Sequence, residues 1–414
     1  MQFGNFVFLC QELNENTIIR MLINFNELKI FESALGQHNM ITILEKAQDE
    51  RVFAQTCITQ RQGIANSQTL QQILSGRDTE THYYKVSQKD IYDGDEYYIR
   101  LGGQESCENS NPLQTILAKI KNQGQCLGVL CNVNNGVFAG ADRLNENKKN
   151  KYKINDAQVD EGIFVLINDE VKNLRLSKNE KGLIKPLFKN SDIKKYYTNT
   201  KNEFNLINLR YTDRPNLEDY PNIKNHLVRF KKLLADRPRT GTLESAFNSG
   251  YWYVMSTSRK LNFDAPKIVF PQRSDVNTFG YNEISWYAMS DVFFITSKEE
   301  HEELNLKYIL SLLNSILYFV WLYFRGKRKG EVLELTGNPV SEIPIKKVNL
   351  DDQRPFIEIV DKILCITNSA DYLTNSSKQA KVHEYEKQID QMVYKLYDLT
   401  DDEIKIVENF DSKK

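Results

Sequence analysis

The chain has 414 residues, 41% of them hydrophobic and 26% charged, with a formal net charge of −1. That length and balance are enough for two or three domains and a substantial core, and they argue against wholesale disorder. Near-neutral charge excludes a bulk polybasic protein but says nothing of local patches, because partners respond to local fields.

In chain order, "MQFGNFVFLCQELNEN" lacks a basic n-region and a small-residue cleavage site, so no signal peptide is expected. Two apolar runs, "MLINF" and "NMITILEK", read as consecutive strands at one edge of a larger sheet. Helices are expected around "SQTLQQILSG" and "PLQTILAKIKNQ", and "CLGVLC" reads as an apolar strand ahead of a loop punctuated by Gly136 and Gly140. The six cysteines include no C-x-x-C pair, and the five histidines stand far apart, so free thiols are expected and no metal site.

From residue 183 to 296 short strands and turns dominate, interrupted by one helix, "PNIKNHLVRFKKLLADR". Its Ile223, Leu227, Phe230 and Leu234 share one face. Tyr308–Phe324 carries no charge over 17 residues, at the lower limit for a membrane span. Asn314, two serines and the charged stretch before it favour a single buried helix. The end of the chain reads as amphipathic helices, the last opened by a Thr400–Glu403 capping box.

The charge is unevenly spread. Residues 183–260 hold 15 lysines and arginines against 7 acids, an excess of +8 that the rest of the chain cancels with −9. The same window holds eleven aromatic residues, a mixture suited to phosphate neutralisation and base stacking, or to a solvated basic face over an aromatic core. A second cluster, "RGKRKGE", follows the long apolar segment between Gly326 and Gly330. There is no G-x-S-x-G elbow, phosphate-cradling loop, H-E-x-x-H or G-x-G-x-x-G after a strand, so the chain reads as a binding module.

Several stretches, in order, resemble one family. "NNGVFAGAD", "LIKPLFKNSDIKKYY", "YPNIKNHLVRFKKLLADR", "WYVMSTSRKLNFDAPKIVFPQRS", "SDVFFIT" and "YILSLLNSILYFVWLYFRGKRKGEVLELTGNPVSEIPI" are similar to the target-recognition region, with its Taq-type C-terminal specificity domain, of type IIG adenine-specific DNA methyltransferases. "LINFNELKIFESALGQHNMITILEK" resembles the last strands of that family's methyltransferase sheet.

The resemblance implies a mixed α+β (α/β) fold. Residues 1–60 would be the C-terminal edge of a Rossmann-like methyltransferase sheet and 61–122 a helical connector. Residues 123–346 would form a DNA target-recognition domain and 347–414 a C-terminal helical segment. It also implies double-stranded DNA as partner, in the cytoplasm, with a separate methyltransferase or nuclease polypeptide docking near residues 1–60. Asn-Pro occurs only in "SNPLQ" and "GNPVS", so the Asn-Pro-Pro-Tyr tetrapeptide and the S-adenosylmethionine loop are expected upstream of this chain, and no catalytic or cofactor residue is assigned.

Lys194, Lys195, Lys231, Lys232, Lys327, Arg328 and Lys329 are the expected phosphate contacts. Tyr196, Trp252 and Lys260 are added as DNA-binding residues, and Arg259 and Arg273 as base readers or partners of Asp264 or Asp275. The rival readings are a protein–protein interaction module without DNA binding and an inactive truncated gene product.

Overall fold

The first described strand, Ile18–Asn24, is apolar along most of its length. The computed structural model describes residues 11–31, 39–49, 51–93, 98–99, 112–238, 241–257, 261–330 and 332–411. Arg259 and Lys260 lie outside them. The chain divides into two units, residues 1–118 with 329–331, and residues 119–328 with 332–414.

The first unit is built on a four-stranded sheet in the order β2-β1-β3-β4, from β1 (Ile18–Asn24), β2 (Met40–Glu45), β3 (Phe53–Thr59) and β4 (Thr81–Ser87). The two apolar runs do pair: β1 and β2 are antiparallel, with Leu22 opposite Thr42. β1 buries residues on both faces. Ile19 and Leu22 pack with Ala54 and Val86, while Ile23 packs with Cys57 and Ile73 of the helix Ser67–Leu74.

The second unit holds two four-stranded sheets. Their strands are β5 (Cys131–Asn135), β6 (Val165–Ile167), β7 (Ile184–Phe188), β8 (Phe204–Ile207), β9 (Lys267–Pro271), β10 (Gly280–Asn282), β11 (Tyr287–Ala288) and β12 (Val292–Ser297). They are ordered β5-β12-β9-β10 and β6-β8-β7-β11. One core joins residues of both sheets, and Ile223, Leu227, Phe230 and Leu234 enter it fully buried, as their spacing predicts. Each such side chain contributes ~1.5–3 kcal/mol.

Three local expectations are corrected. The "PNIKNHLVRFKKLLADR" segment forms two helices, α1 (Pro221–Val228) and α2 (Lys231–Ala235). Between them Phe230 N–H reaches Leu227 C=O at 3.0 Å, a tighter turn that lets Phe230, Leu233 and Leu234 all enter the core. In "CLGVLC", Leu127–Leu130 is one helical turn that buries Leu127 and Leu130 and exposes Val129. A short apolar run does not distinguish the two periods.

The uncharged segment Tyr308–Phe324 is buried, but as two helices, α3 (Leu306–Asn314) and α4 (Ile316–Arg325), bent by 71°. The polar residues that argue against a membrane span make the bend. Asn314 exchanges two hydrogen bonds with the backbone of Phe279 (3.1 and 2.8 Å), and Ser315 caps α4. Ile316 N–H donates to Asp390 Oδ1 at 2.8 Å, fixing α4 on the C-terminal helices. No single helix among the described residues is long and apolar enough to cross a membrane.

The tail forms three helices, α5 (Leu350–Thr367), α6 (Ser376–Leu396) and α7 (Asp401–Asp411). The expected capping box is present: Thr400 N–H donates to Glu403 at 2.7 Å and Glu403 N–H to Thr400 Oγ1 at 3.3 Å.

Candidate nucleic-acid interface

The segment "LIKPLFKNSDIKKYY" leaves the sheet along β7, which pairs antiparallel with β8 and parallel with β11. Past Phe188 the chain makes a single 3-10 turn, Asn190–Asp192. The Asp192 carboxylate pins it, accepting from Lys189 N–H at 2.8 Å and from Asn199 Nδ2 at 2.9 Å. Ile193–Lys194 then pairs with Tyr197–Thr198, which makes Lys195 and Tyr196 the two residues of the hairpin turn.

Tyr196 takes a left-handed backbone, φ +55°, that a tyrosine adopts only at a cost. Its ring is 1% exposed, its N–H donates to Phe279 O at 2.9 Å, and its C=O accepts from Thr367 Oγ1 at 2.8 Å. This corrects its expected role: a fully buried ring stacks on no base. The first tyrosine of the pair is an anchor that turns the adjoining lysines outward.

Lys194 and Lys195 line a cleft of about 540 Å³ together with Ser274, Thr278 and Arg273. Three of the expected DNA-binding cations therefore meet at one site. No carboxylate among the described residues pairs with Lys194 or Lys195.

Arg273 sits on a short strand, Arg273–Ser274, antiparallel to Val332–Glu334, with Arg273 directly opposite Glu334. Its Nη2 lies 3.4 Å from Glu334 Oε1, and Lys327 Nζ lies 3.0 Å from Glu334 Oε2. The arginine thus has a carboxylate partner that is neither Asp264 nor Asp275. Burial would raise the Glu334 carboxyl, but the Lys327 ammonium and then the Arg273 guanidinium outweigh it and hold the carboxyl below its usual range.

The other expected residues form separate groups. Lys231 and Lys232 are exposed on α2, and Lys231 Nζ lies 5.3 Å from the ring centroid of half-buried Trp252. Neither lysine nor Trp252 lines the cleft. Trp252 is held from behind by Arg237, whose guanidinium donates to the carbonyls of Leu234, Ala139, Trp252 and Val254 at 2.8–3.0 Å. Burial lowers the Arg237 pKa to about 10. Arg328 lies 3.9 Å from the Tyr323 ring, and Lys329, also exposed, falls in the first unit.

Sequence reasoning missed Glu334, whose partner stands 61 residues away, and Arg237, one basic residue among fifteen in its window. It also missed Lys189, whose Nζ lies 3.9 Å from the Phe204 ring centroid. Among the described residues no cluster of histidine, cysteine and carboxylate groups could hold a metal ion.

Known proteins share parts of this chain. Over 63 residues the chain is 33% identical to the Type II methyltransferase M.HincII of Haemophilus influenzae, covering 15% of this chain and 12% of that protein. M.HindII, from Haemophilus influenzae strain ATCC 51907, gives the same identity, length and shares. The Type IIL restriction-modification enzyme MmeI, solved in complex with DNA, aligns with a TM-score of 0.51 and 13% identity, over 95% of this chain and 45% of that one. At that identity the likeness is one of mixed α+β fold, and the chain spans less than half the length of each of these proteins. Residues 185–345, which contain Lys194, Lys195, Arg273, Lys327 and Glu334, match the TaqI-like C-terminal specificity domain.

Proposed function

We propose that this chain binds double-stranded DNA sequence-specifically, as the specificity part of an adenine N6-methyltransferase of the type IIG restriction–modification kind. The observation that carries the reading is the cleft: Lys194, Lys195 and Arg273 converge on it inside the segment that matches a specificity domain. Lysines of this kind neutralise phosphates and fix register, and an arginine beside them offers a fork to guanine. Lys231, Lys232, Trp252, Arg259, Lys260, Arg328 and Lys329 are further DNA-binding residues in this reading.

The methyl-transfer centre and its S-adenosylmethionine would come from outside residues 1–414, on a polypeptide or segment that docks near residues 1–60. The four regions then serve as the sheet edge (1–60), connector (61–122), recognition domain (123–346) and helical support (347–414). A contact at the first region is favoured by β2, "MITILE", whose six residues are all exposed although four are apolar.

Fluorescence anisotropy of the full chain with labelled random-sequence duplex, titrated at several salt concentrations, tests the reading. Affinity should fall linearly on logarithmic axes, and Lys194→Ala or Lys195→Ala should each reduce the slope by about 0.9. A flat salt dependence, or lysine variants with the wild-type slope, would place DNA elsewhere or nowhere.

A further inference from the structure

Glu334 is a carboxylate paired to Arg273, a lining residue of the cleft. Its side chain is 12% exposed, against 56% for Arg273 and 52% for Lys327, so the acid is recessed beneath two exposed cations. Each carboxylate oxygen takes one cation. The arrangement is fixed by backbone: Glu334 is the cross-strand partner of Arg273, and its N–H donates to Lys327 C=O at 2.8 Å. Opposed residues of an antiparallel pair project to the same face, so the ion pair is set by register.

We propose, resting on the DNA-binding reading above, that Glu334 is a specificity-determining residue that restrains Arg273 and Lys327 against random DNA and presents Arg273 to a guanine. Taking either cation away to a phosphate would leave one oxygen of a recessed carboxylate unpaired, which is costly. A guanine edge asks for no such exchange. The guanidinium has five N–H donors and gives one contact to Glu334, so a pair remains to fork onto guanine O6 and N7 while the ion pair persists. Glu334 therefore weakens binding to every duplex through charge and spares the one that offers guanine in register.

The perturbation is Glu334→Gln, which keeps the shape and removes the charge. Wild type and variant, as full chains, are titrated against a random duplex pool and then used to enrich that pool by repeated selection. With two cations released, the variant should bind the random pool more tightly, with a salt slope steeper by about 1–2, and its enriched pool should show weaker preference at a guanine position, by about tenfold. Arg273→Lys, which retains the ion pair but cannot fork, should keep the random-pool slope and lose that guanine position, and it carries the test should Glu334→Gln not fold. A wild type that enriches a motif while both variants keep its slope and its guanine position overturns the role of Glu334 and leaves DNA binding standing. A wild type with no salt-dependent binding removes the DNA-binding reading and this inference together.

Discussion

Glu180 offers a test of the scaffold that carries the basic residues. It is fully buried, and its carboxylate accepts from Asn222 N–H (2.7 Å), Asn222 Nδ2 (2.8 Å), Ile223 N–H (3.0 Å) and Ser177 N–H (2.8 Å). Two of these donors are unpaired amides of the first turn of α1, the helix that leads into Lys231 and Lys232. Burial pushes the carboxyl up, but the four donors overcome it and hold the group at about 2.

Relative to the ordinary value of 4.5, that depression corresponds to about 3 kcal/mol at neutral pH. Glu180→Gln replaces one oxygen by a donor facing donors, so it should cost about 2–3 kcal/mol at neutral pH. Because the folded pKa is the lower one, the stabilisation is complete above about pH 5 and is lost as pH falls toward about 2. Urea unfolding followed through tryptophan fluorescence should show wild type and variant converging as the buffer is acidified. A gap below about 0.5 kcal/mol at neutral pH, or one as wide at about pH 3, would refute the capping role.

Tyr196→Ala should destabilise the fold by about 3–5 kcal/mol through the cavity it opens, whereas Lys194→Ala should change stability by less than about 0.5 kcal/mol, both read by urea unfolding. Near-equal effects of the two would contradict the division of this segment into anchor and contact. Arg237→Met should cost about 3–5 kcal/mol by leaving buried carbonyls without their donor, and hydrogen exchange should rise at Trp252–Ser256. Protection unchanged in that segment would show that Arg237 does not hold it.

What was legible in the sequence was whatever depends on neighbours in the chain. The spacing of Ile223 and Leu227 marks a core face because one helix places them together, and Phe230 and Leu234 join the same core across the tighter turn between α1 and α2. The Thr400–Glu403 box is complete within four residues, and it forms. The bend at Ser315 was not legible. It is stabilised by Phe279 and Asp390, which stand 35 and 74 residues from their partners. Tyr196 looks like a contact residue because paired lysines run directly into paired tyrosines there. Only the hairpin register shows that the chain crosses from surface to core between Lys195 and Tyr196.

The same reasoning separates the two kinds of cation at the cleft. Lys194 and Lys195 come from a local turn whose shape Asp192 dictates, so their outward placement follows from a dozen residues of sequence. Arg273 owes its position to Glu334 across a strand pair, 61 residues away, and could not be ranked from its own neighbourhood. Lys194 and Lys195 can be substituted with little effect on the core, whereas the Arg273–Glu334 register is tied to β9 and α4 on either side of it. Contacts that set affinity can therefore drift one residue at a time. Arg273 and Glu334 share one ion pair, so substitutions at the two should be strongly non-additive in any double-mutant cycle.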